Sequence, residues 1–275
     1  MPEVTDGCRN VRQSPVRLRS ARVILFYALA VCVLGAVVAP WAYGLIHPHW
    51  PTVPFRRVFD RALLVVALAG LWPMLRAAGV RSWSDLGYAR TPTGWKQVVV
   101  GFGIGLISLG VCAVLLRQFS GWKTNYVGNL ASALAVGIIE ETFFRGGIYG
   151  GLRRGGSVGG AVAVSSILYA VLHFCKPTEP AAVNWSTGFT HLGLVFQNFG
   201  AQVNWCGLVT LILVGVVLAL AFEWTQALYL SIGLHTGWVF AIKTVGAPLR
   251  DNALLWPVLL VVLLLCWKKF APRST

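Results

Sequence analysis

The sequence has few charged side chains and very few acidic ones. Only 12% of its 275 residues are charged, and nine are Asp or Glu against 23 Lys or Arg. The chain is 56% hydrophobic, with a mean hydropathy of +0.69, which is more apolar surface than one soluble core can bury. The shortage of charge therefore argues against a soluble protein and indicates an integral membrane protein.

Neither cysteine pairs nor internal repeats organise the chain. Its six cysteines are scattered without CxxC spacing, so we expect them to pack as small apolar groups. No inverted repeat of the kind found in transporters is present. The net charge of +14 comes from short basic flanks beside apolar stretches, so it bears on membrane orientation and predicts no nucleic-acid partner.

Long apolar runs are what the sequence does contain. A helix needs about 20 apolar residues to cross the hydrocarbon layer, which predicts an all-α fold, a polytopic bundle of about eight transmembrane helices. The predicted spans are 23–43, 58–76, 97–116, 127–149, 158–174, 207–222, 227–242 and 253–267. The spacing Gly101-x-x-x-Gly105 in the third span suits close helix packing in lipid. The aromatic-rich connection 175–206 predicts a loop on the outer membrane surface, in which His191 is expected to have no special role.

The distribution of Lys and Arg predicts the orientation. With eight spans and the amino terminus inside, fourteen of the 23 basic residues fall on inner segments, so both termini are predicted to be cytoplasmic. The predicted organisation is a basic cytoplasmic tail at 1–22, a transmembrane domain at 23–268 and a cytoplasmic tail at 269–275. A short chain without eukaryotic targeting signals favours the bacterial cell membrane.

Two acidic residues lie deep within a predicted membrane span, where an ionisable side chain is energetically unfavourable. Glu140 and Glu141 are adjacent and deep within the fourth predicted span, whereas the other seven acidic residues lie in tails, loops or span ends. An ionisable side chain at the bilayer centre costs about 2.5–3.5 kcal/mol on insertion scales. Packing alone explains this pair poorly, and a functional site is the default hypothesis.

Helix periodicity gives the two glutamates different surroundings. Positions four apart share a helix face, so Glu141 is predicted to pair with Arg145, while Glu140 points about 100° away and becomes the candidate base. His173 and His235 also lie within predicted spans, at a depth similar to that of Glu140 when counted at 1.5 Å per residue. A lone membrane histidine is more often a packed hydrogen-bonding residue. Two of them with a glutamate pair favour an active site.

These motifs resemble those of the CPBP family, the CAAX protease and bacteriocin-processing enzymes also called the Abi family. The family pattern is Glu-Glu-x-x-x-Arg, then aromatic-x-x-x-His, then His-x-x-x-Asn or Asp, each on its own membrane helix. The corresponding segments here are Glu140-Glu141-Thr-Phe-Phe-Arg145, Tyr169-x-x-x-His173 and His235-x-x-x-Val239. The resemblance covers about 125–245, and the turn Asp85-Leu86-Gly87 is a weaker family-like feature.

The resemblance implies an intramembrane endopeptidase, similar to a CAAX prenyl protease, acting on a membrane-associated peptide or a prenylated protein. It implies Glu140 as general base and Glu141 with Arg145 as a structural pair. His173 would be a water-orienting residue or metal ligand, and His235 an electrophile or second metal ligand. The implied cofactor is a divalent metal such as Zn²⁺ held by these histidines. Water activated directly by glutamate and histidine, without a metal, fits the residues equally.

Val239 departs from the family pattern, which has an asparagine or aspartate there. One oxyanion donor or ligand is then missing, which predicts slower catalysis or recruitment of another group such as Trp238. Two other functions stay open. Val239 favours a non-catalytic membrane scaffold or immunity protein, and the intramembrane acids and histidines also suit a proton-coupled transporter, against which the missing inverted repeat argues.

Overall fold

The computed structural model of the chain describes residues 15–115, 125–174 and 178–245, which are helical and contain no strand. The helices are α1 Pro15–Ile46, α2 Phe55–Ala77, α3 Gly94–Leu115, α4 Tyr126–Glu141, α5 Gly150–Arg153, α6 Val158–His173, α7 Thr187–Gln202, α8 Trp205–Thr225 and α9 Tyr229–Val245. A π-helix, Thr142–Tyr149, joins α4 to α5 without a break, and a 3₁₀ turn, Ser84–Leu86, lies between α2 and α3.

Five of the described helical segments are long and apolar enough to cross a membrane. They are Arg22–Ile46, Phe55–Ala77, Gly94–Val111, Tyr126–Arg153 and Trp205–Thr225. Many of their large apolar side chains are exposed on the bundle surface, as expected where lipid is the solvent. The prediction of an all-α membrane bundle is therefore confirmed.

The first seven predicted spans each coincide with a described helix, with shifted ends. The largest shift is in α1, which begins at Pro15, eight residues before the predicted start of the span and within the predicted tail. The eighth predicted span, 253–267, lies outside the described residues, as do residues 1–14 and the predicted tail at 269–275. Below, "inner" and "outer" follow the predicted orientation.

The outer connection differs from its prediction. Instead of a surface loop, its second half forms α7, which packs against α1. His191 on α7 is only 1% exposed, and its ring meets those of Phe55 and Phe59 edge-on at centroid distances of 5.2 and 4.8 Å. The loop prediction was wrong because packing against α1 and α2 stabilises a segment whose own apolar run is too short to indicate a helix.

Glycines bring α3 and α9 into close contact. A Cβ on Gly105 would lie 2.5 Å from the carbonyl oxygen of Leu234, and one on Gly237 would lie 2.4 Å from that of Phe102. The two helices therefore touch through their backbones, as the Gly-x-x-x-Gly spacing on α3 predicts. This contact fixes the depth and rotation of α9, which carries His235.

The remaining helices divide into two groups. α4 packs on α9, and α6 packs on α8, so that the π-helix lies among α4, α6 and α8. α2 packs chiefly against α1, and this pair lies beside the other group. A cleft consequently remains between α2 and the helices that carry the glutamates and His173.

Candidate active site

The last turn of α4 and the start of the π-helix carry a buried ion pair. Arg145 Nη1 donates to Glu141 Oε1 at 2.9 Å, with side-chain exposures of 1% and 0%. Arg145 Nη2 also donates to the carbonyl oxygen of Gly215 on α8 at 3.3 Å, and its guanidinium lies 4.8 Å from the ring centre of Tyr169. The predicted pairing of Glu141 with Arg145 is thus present, and it holds α4, α6 and α8 together.

Glu141 has a second partner that the sequence did not predict. His235 Nδ1 lies 2.7 Å from Glu141 Oε1, the same oxygen that Arg145 contacts. Because a carboxylate paired with arginine accepts hydrogen bonds, Nδ1 carries the proton. Glu141 therefore fixes both the tautomer and the orientation of the His235 ring, because the hydrogen bond at one ring nitrogen sets the role of the other.

Glu140 faces both histidines. Its Oε2 lies 3.7 Å from His235 Nε2 and 3.9 Å from His173 Nε2. Both separations are too long for direct hydrogen bonds, but a water molecule placed between the three atoms would be within reach of all of them. The side chain of Glu140 is 29% exposed, whereas that of Glu141 is fully buried.

Tyr169 determines how His173 presents its ring. The backbone carbonyl oxygen of Tyr169 lies 2.8 Å from His173 Nδ1. A carbonyl only accepts, so Nδ1 is the donor, and the Nε2 of a neutral ring offers a lone pair toward Glu140. The tyrosine ring lies 4.4 Å from the histidine ring, centre to centre. The aromatic-x-x-x-His motif is therefore a local orienting device on one helix.

A cavity of about 390 Å³ opens beside Glu140 and His173. Its other walls are almost entirely apolar. The residues that line it are Asp60, Leu64, Ala67, Leu68 and Leu71 of α2, Ile139, Phe143 and Phe144 near the glutamates, and Leu172 of α6. The cavity occupies the cleft between α2 and the helices of the site, so Glu140 and His173 face a space of a size and lining suited to an apolar chain.

The π-helix begins directly after the two glutamates. Its wider turn is visible where the amide of Gly150 donates to the carbonyl oxygen of Arg145, five residues back. π-Helical turns occur frequently at functional sites, and this one carries Arg145 and the cavity residues Phe143 and Phe144. No sequence pattern predicted this π-helix.

Val239 and Trp238 do not supply the expected polar group. Val239 is partly buried and has no polar side-chain atom. The indole nitrogen of Trp238 donates to Ser108 Oγ on α3 at 3.1 Å, so this donor is used in packing α9 on α3. The polar side-chain atoms that face Glu140 are then the Nε2 atoms of His235 and His173.

The order of the three motifs along the chain agrees with a comparison to known families. Residues 122–241 match the family model described as "Type II CAAX prenyl endopeptidase Rce1-like". These residues form an Rce1-like domain. The Rce1-like domain contains all three motifs and fits the resemblance to the CPBP proteases. No curated protein and no solved structure matches the chain.

The Rce1-like domain does not supply the whole cavity. Asp60, Leu64 and Leu68 belong to α2, which precedes the matched residues. The three motifs and one wall of the cavity therefore lie on different parts of the chain.

Two histidines and one glutamate converge at the candidate site, a set of side chains that can bind zinc. Among the described residues, no group of three or more His, Cys, Asp or Glu side chains is arranged to hold a metal ion. Zinc in a hydrolase is usually held by three protein ligands. Glu140, His173 and His235 are the residues that would hold such an ion, with the two Nε2 atoms 3.9 and 3.7 Å from Glu140 Oε2.

Proposed function

We propose that this chain is an intramembrane endopeptidase that hydrolyses a peptide bond with water activated by Glu140. The observation that carries the proposal is the position of Glu140 Oε2, 3.7 Å and 3.9 Å from two histidine nitrogens at the edge of an apolar cavity. The Rce1-like domain supports the same reaction class. The proposed cleavage occurs next to a lipid-modified or otherwise membrane-associated segment.

In the proposed reaction, water lies between Glu140 and the two histidines. The lone pair on His173 Nε2 accepts one hydrogen bond from the water, while Glu140 takes the proton that the water loses as its oxygen attacks the carbonyl carbon. Glu140 then delivers that proton to the departing amine nitrogen. The carbon–nitrogen bond breaks to give a carboxylic acid and an amine, and transfer of the acid proton to the amine leaves a carboxylate and an ammonium group.

His235 is the proposed electrophile. This role requires the doubly protonated ring, in which Nδ1–H donates to Glu141, as the catalytic histidine donates to the buried aspartate in serine proteases. Nε2–H can then donate to the oxyanion of the tetrahedral intermediate. Glu141 is thus a positioning residue that acts through His235.

The cavity suggests the class of substrate. Leu64, Leu68 and Leu71 share one face of α2 and form an apolar wall opposite Glu140 and His173. A lipid chain attached near the scissile bond would cover this wall and would reach it from the bilayer, through the cleft beside α2. A prenylated or otherwise lipidated peptide is therefore the proposed substrate class.

The test compares lipidated and unmodified versions of one peptide with the purified protein in lipid nanodiscs. We expect the wild type to cleave the lipidated peptide and Glu140→Gln to lose about a hundredfold or more in kcat. Glu223→Gln is the matched control, because Glu223 is a comparably buried acid, 17% exposed, that pairs with Arg153 away from the site. Equal activity of wild type and Glu140→Gln would contradict the proposal.

Val239 supports a second candidate, a family member that binds a membrane peptide without cleaving it. In this case the wild type would bind the lipidated peptide but leave it intact. Val239→Asn restores the expected polar group, and if the site is otherwise competent we expect it to raise kcat about a hundredfold. Val239→Leu is the control for side-chain size. Strong cleavage by the wild type would exclude this candidate.

A further inference from the structure

The loop between α2 and α3 lies against the inner ends of the site helices. The amide of Leu228 donates to the carbonyl oxygen of Gly87 at 3.0 Å, and the hydroxyl of Tyr229 donates to that of Ala89 at 2.9 Å. Gly87 has a φ of 93°, a left-handed conformation that favours glycine. The Asp85-Leu86-Gly87 turn is therefore held in one position next to α9.

The same loop also reaches the π-helix. A Cβ on Gly146 would lie 2.9 Å from the carbonyl oxygen of Leu86, so the loop backbone directly contacts this helix. Arg154, just after α5, donates to the carbonyl oxygen of Asp85 at 3.4 Å. These contacts bring the next loop residue, Tyr88, to the junction between α4 and the π-helix.

Tyr88 makes a hydrogen bond at that junction. Its hydroxyl lies 2.5 Å from Thr142 Oγ1, and Thr142 Oγ1 lies 2.6 Å from the carbonyl oxygen of Ile138. A carbonyl only accepts, so the single hydroxyl proton of Thr142 goes to Ile138, and Tyr88 must be the donor to Thr142. Burial raises the pKa of the Tyr88 phenol, which keeps this donor protonated at physiological pH.

The turn closed by Thr142 contains both glutamates. Ile138 and Thr142 enclose Glu140 and Glu141, whose side chains point to different partners within one turn. A small rotation of this turn would move Glu140 away from the histidines, because its separations from them are already near 4 Å. A bond that fixes Thr142 therefore limits the rotation of the reacting carboxylate.

We propose that Tyr88 is a positioning residue of the active site, holding Thr142 so that Glu140 and Glu141 keep their separate partners. This inference rests on the proposed peptidase function. If Tyr88 has this role, the loop between α2 and α3 affects the rate of the chemical step, although it lies far from the motifs along the sequence. A role confined to attaching the loop would instead affect stability alone.

The first test compares Tyr88→Phe with Tyr229→Phe. Each variant removes one hydroxyl that forms a hydrogen bond from or to this loop. Of the two hydroxyls, only that of Tyr88 contacts the turn that carries Glu140 and Glu141. We expect kcat of Tyr88→Phe to fall about tenfold with KM and thermal unfolding temperature unchanged, and Tyr229→Phe to stay near wild type. Equal losses in both variants, or a change in stability alone, would overturn the inference.

The second test is a double-mutant cycle with Thr142. Thr142→Val removes the acceptor and should lower kcat about as much as Tyr88→Phe, and the double variant should lose no more than either single variant. Thr142→Ser keeps the hydroxyl and should retain activity. Additive losses would show that Tyr88 and Thr142 act independently, which contradicts the inference.

A third measurement separates this inference from the proposed function. Hydrogen exchange of the amides in 138–150 requires no activity, and Tyr88→Phe should accelerate it about fivefold while Tyr229→Phe leaves it unchanged. If the wild type cleaves no peptide, the proposed function fails. Unchanged exchange in Tyr88→Phe would show separately that Tyr88 does not hold the turn.

Discussion

At the scale of single residues, Glu141 is a fully buried acid that two partners share. One of its oxygens accepts from both Arg145 and His235, and the side chain is fully buried in the bundle. Arg145 is also buried, at 1% exposure, and a buried charge that loses its partner destabilises a protein by about 3–5 kcal/mol. Glu141 therefore contributes both to stability and to the orientation of His235.

Glu141→Gln should lower both stability and activity. The amide leaves Arg145 without a charged partner and weakens the hydrogen bond that orients His235, so we expect a loss of about 3–5 kcal/mol in the free energy of unfolding. Thermal and denaturant unfolding in detergent would measure it. Glu140→Gln is the matched control, because its carboxylate is partly exposed to the cavity. We expect this control to keep wild-type stability while losing activity.

A Glu141→Gln protein as stable as the wild type would contradict the assignment of the buried charges. Loss of stability in Glu140→Gln as well would show that the two glutamates share one structural role. The proposed division of roles requires the two variants to differ.

At the scale of elements, the crossing of α3 and α9 places His235. Gly103 lies on the same helix as Gly105, but a Cβ on Gly103 meets no atom within 4 Å, whereas a Cβ on Gly105 would lie 2.5 Å from the carbonyl oxygen of Leu234. Leu234 directly precedes His235. Any separation of the two helices therefore moves the histidine away from Glu140 and Glu141.

Gly105→Ala and Gly103→Ala form a matched pair that tests this crossing. We expect Gly105→Ala to destabilise the bundle by about 1–3 kcal/mol through overpacking and to lower kcat. Gly103→Ala should be neutral or slightly stabilising, because alanine is a better helix former than glycine. Unfolding and cleavage assays on both variants measure these effects. Equal behaviour of the two would mean that α3 and α9 do not touch as described.

Some elements could be predicted from sequence and others could not. Seven apolar runs coincide with helices because a chain in lipid must satisfy its backbone hydrogen bonds internally, which leaves a helix as the local solution. α7 and the π-helix were missed. The position of α7 depends on its contacts with α1, and the π-helix forms where the inner loop contacts Gly146.

The candidate site also has some features that the sequence predicted and others that it did not. The spacing of Glu141 and Arg145 predicted their ion pair, since both lie on one helix face. The bond between His235 and Glu141 was not predictable, because it depends on how α9 packs on α4. The role of α2 as a cavity wall was missed as well, since no polar motif marks Leu64, Leu68 or Leu71.

At the scale of the whole molecule, the cleft beside α2 is the proposed route from the bilayer to Glu140. Leu68 lines the cavity and is 43% exposed, while Val65 lies on the same helix, is 64% exposed and does not line the cavity. A bulky side chain at position 68 would narrow the cleft. The same change at position 65 would face lipid.

Leu68→Trp should raise KM for the lipidated peptide about tenfold, because the indole occupies space that the lipid chain needs. Val65→Trp should leave KM for the lipidated peptide unchanged. If a short unmodified peptide is also cleaved, both variants should have the wild-type KM for it. Steady-state kinetics in nanodiscs distinguish these cases. An unchanged KM in Leu68→Trp would show that the lipidated substrate does not use this cleft.

The central claim is that Glu140 activates water to attack a peptide bond. Single-turnover cleavage of a lipidated peptide in H₂¹⁸O, followed by mass spectrometry, tests it most directly. We expect one ¹⁸O atom in the new carboxylate of the wild-type product and about a hundredfold less product from Glu140→Gln. A product without ¹⁸O, or equal product from Glu140→Gln, would contradict it.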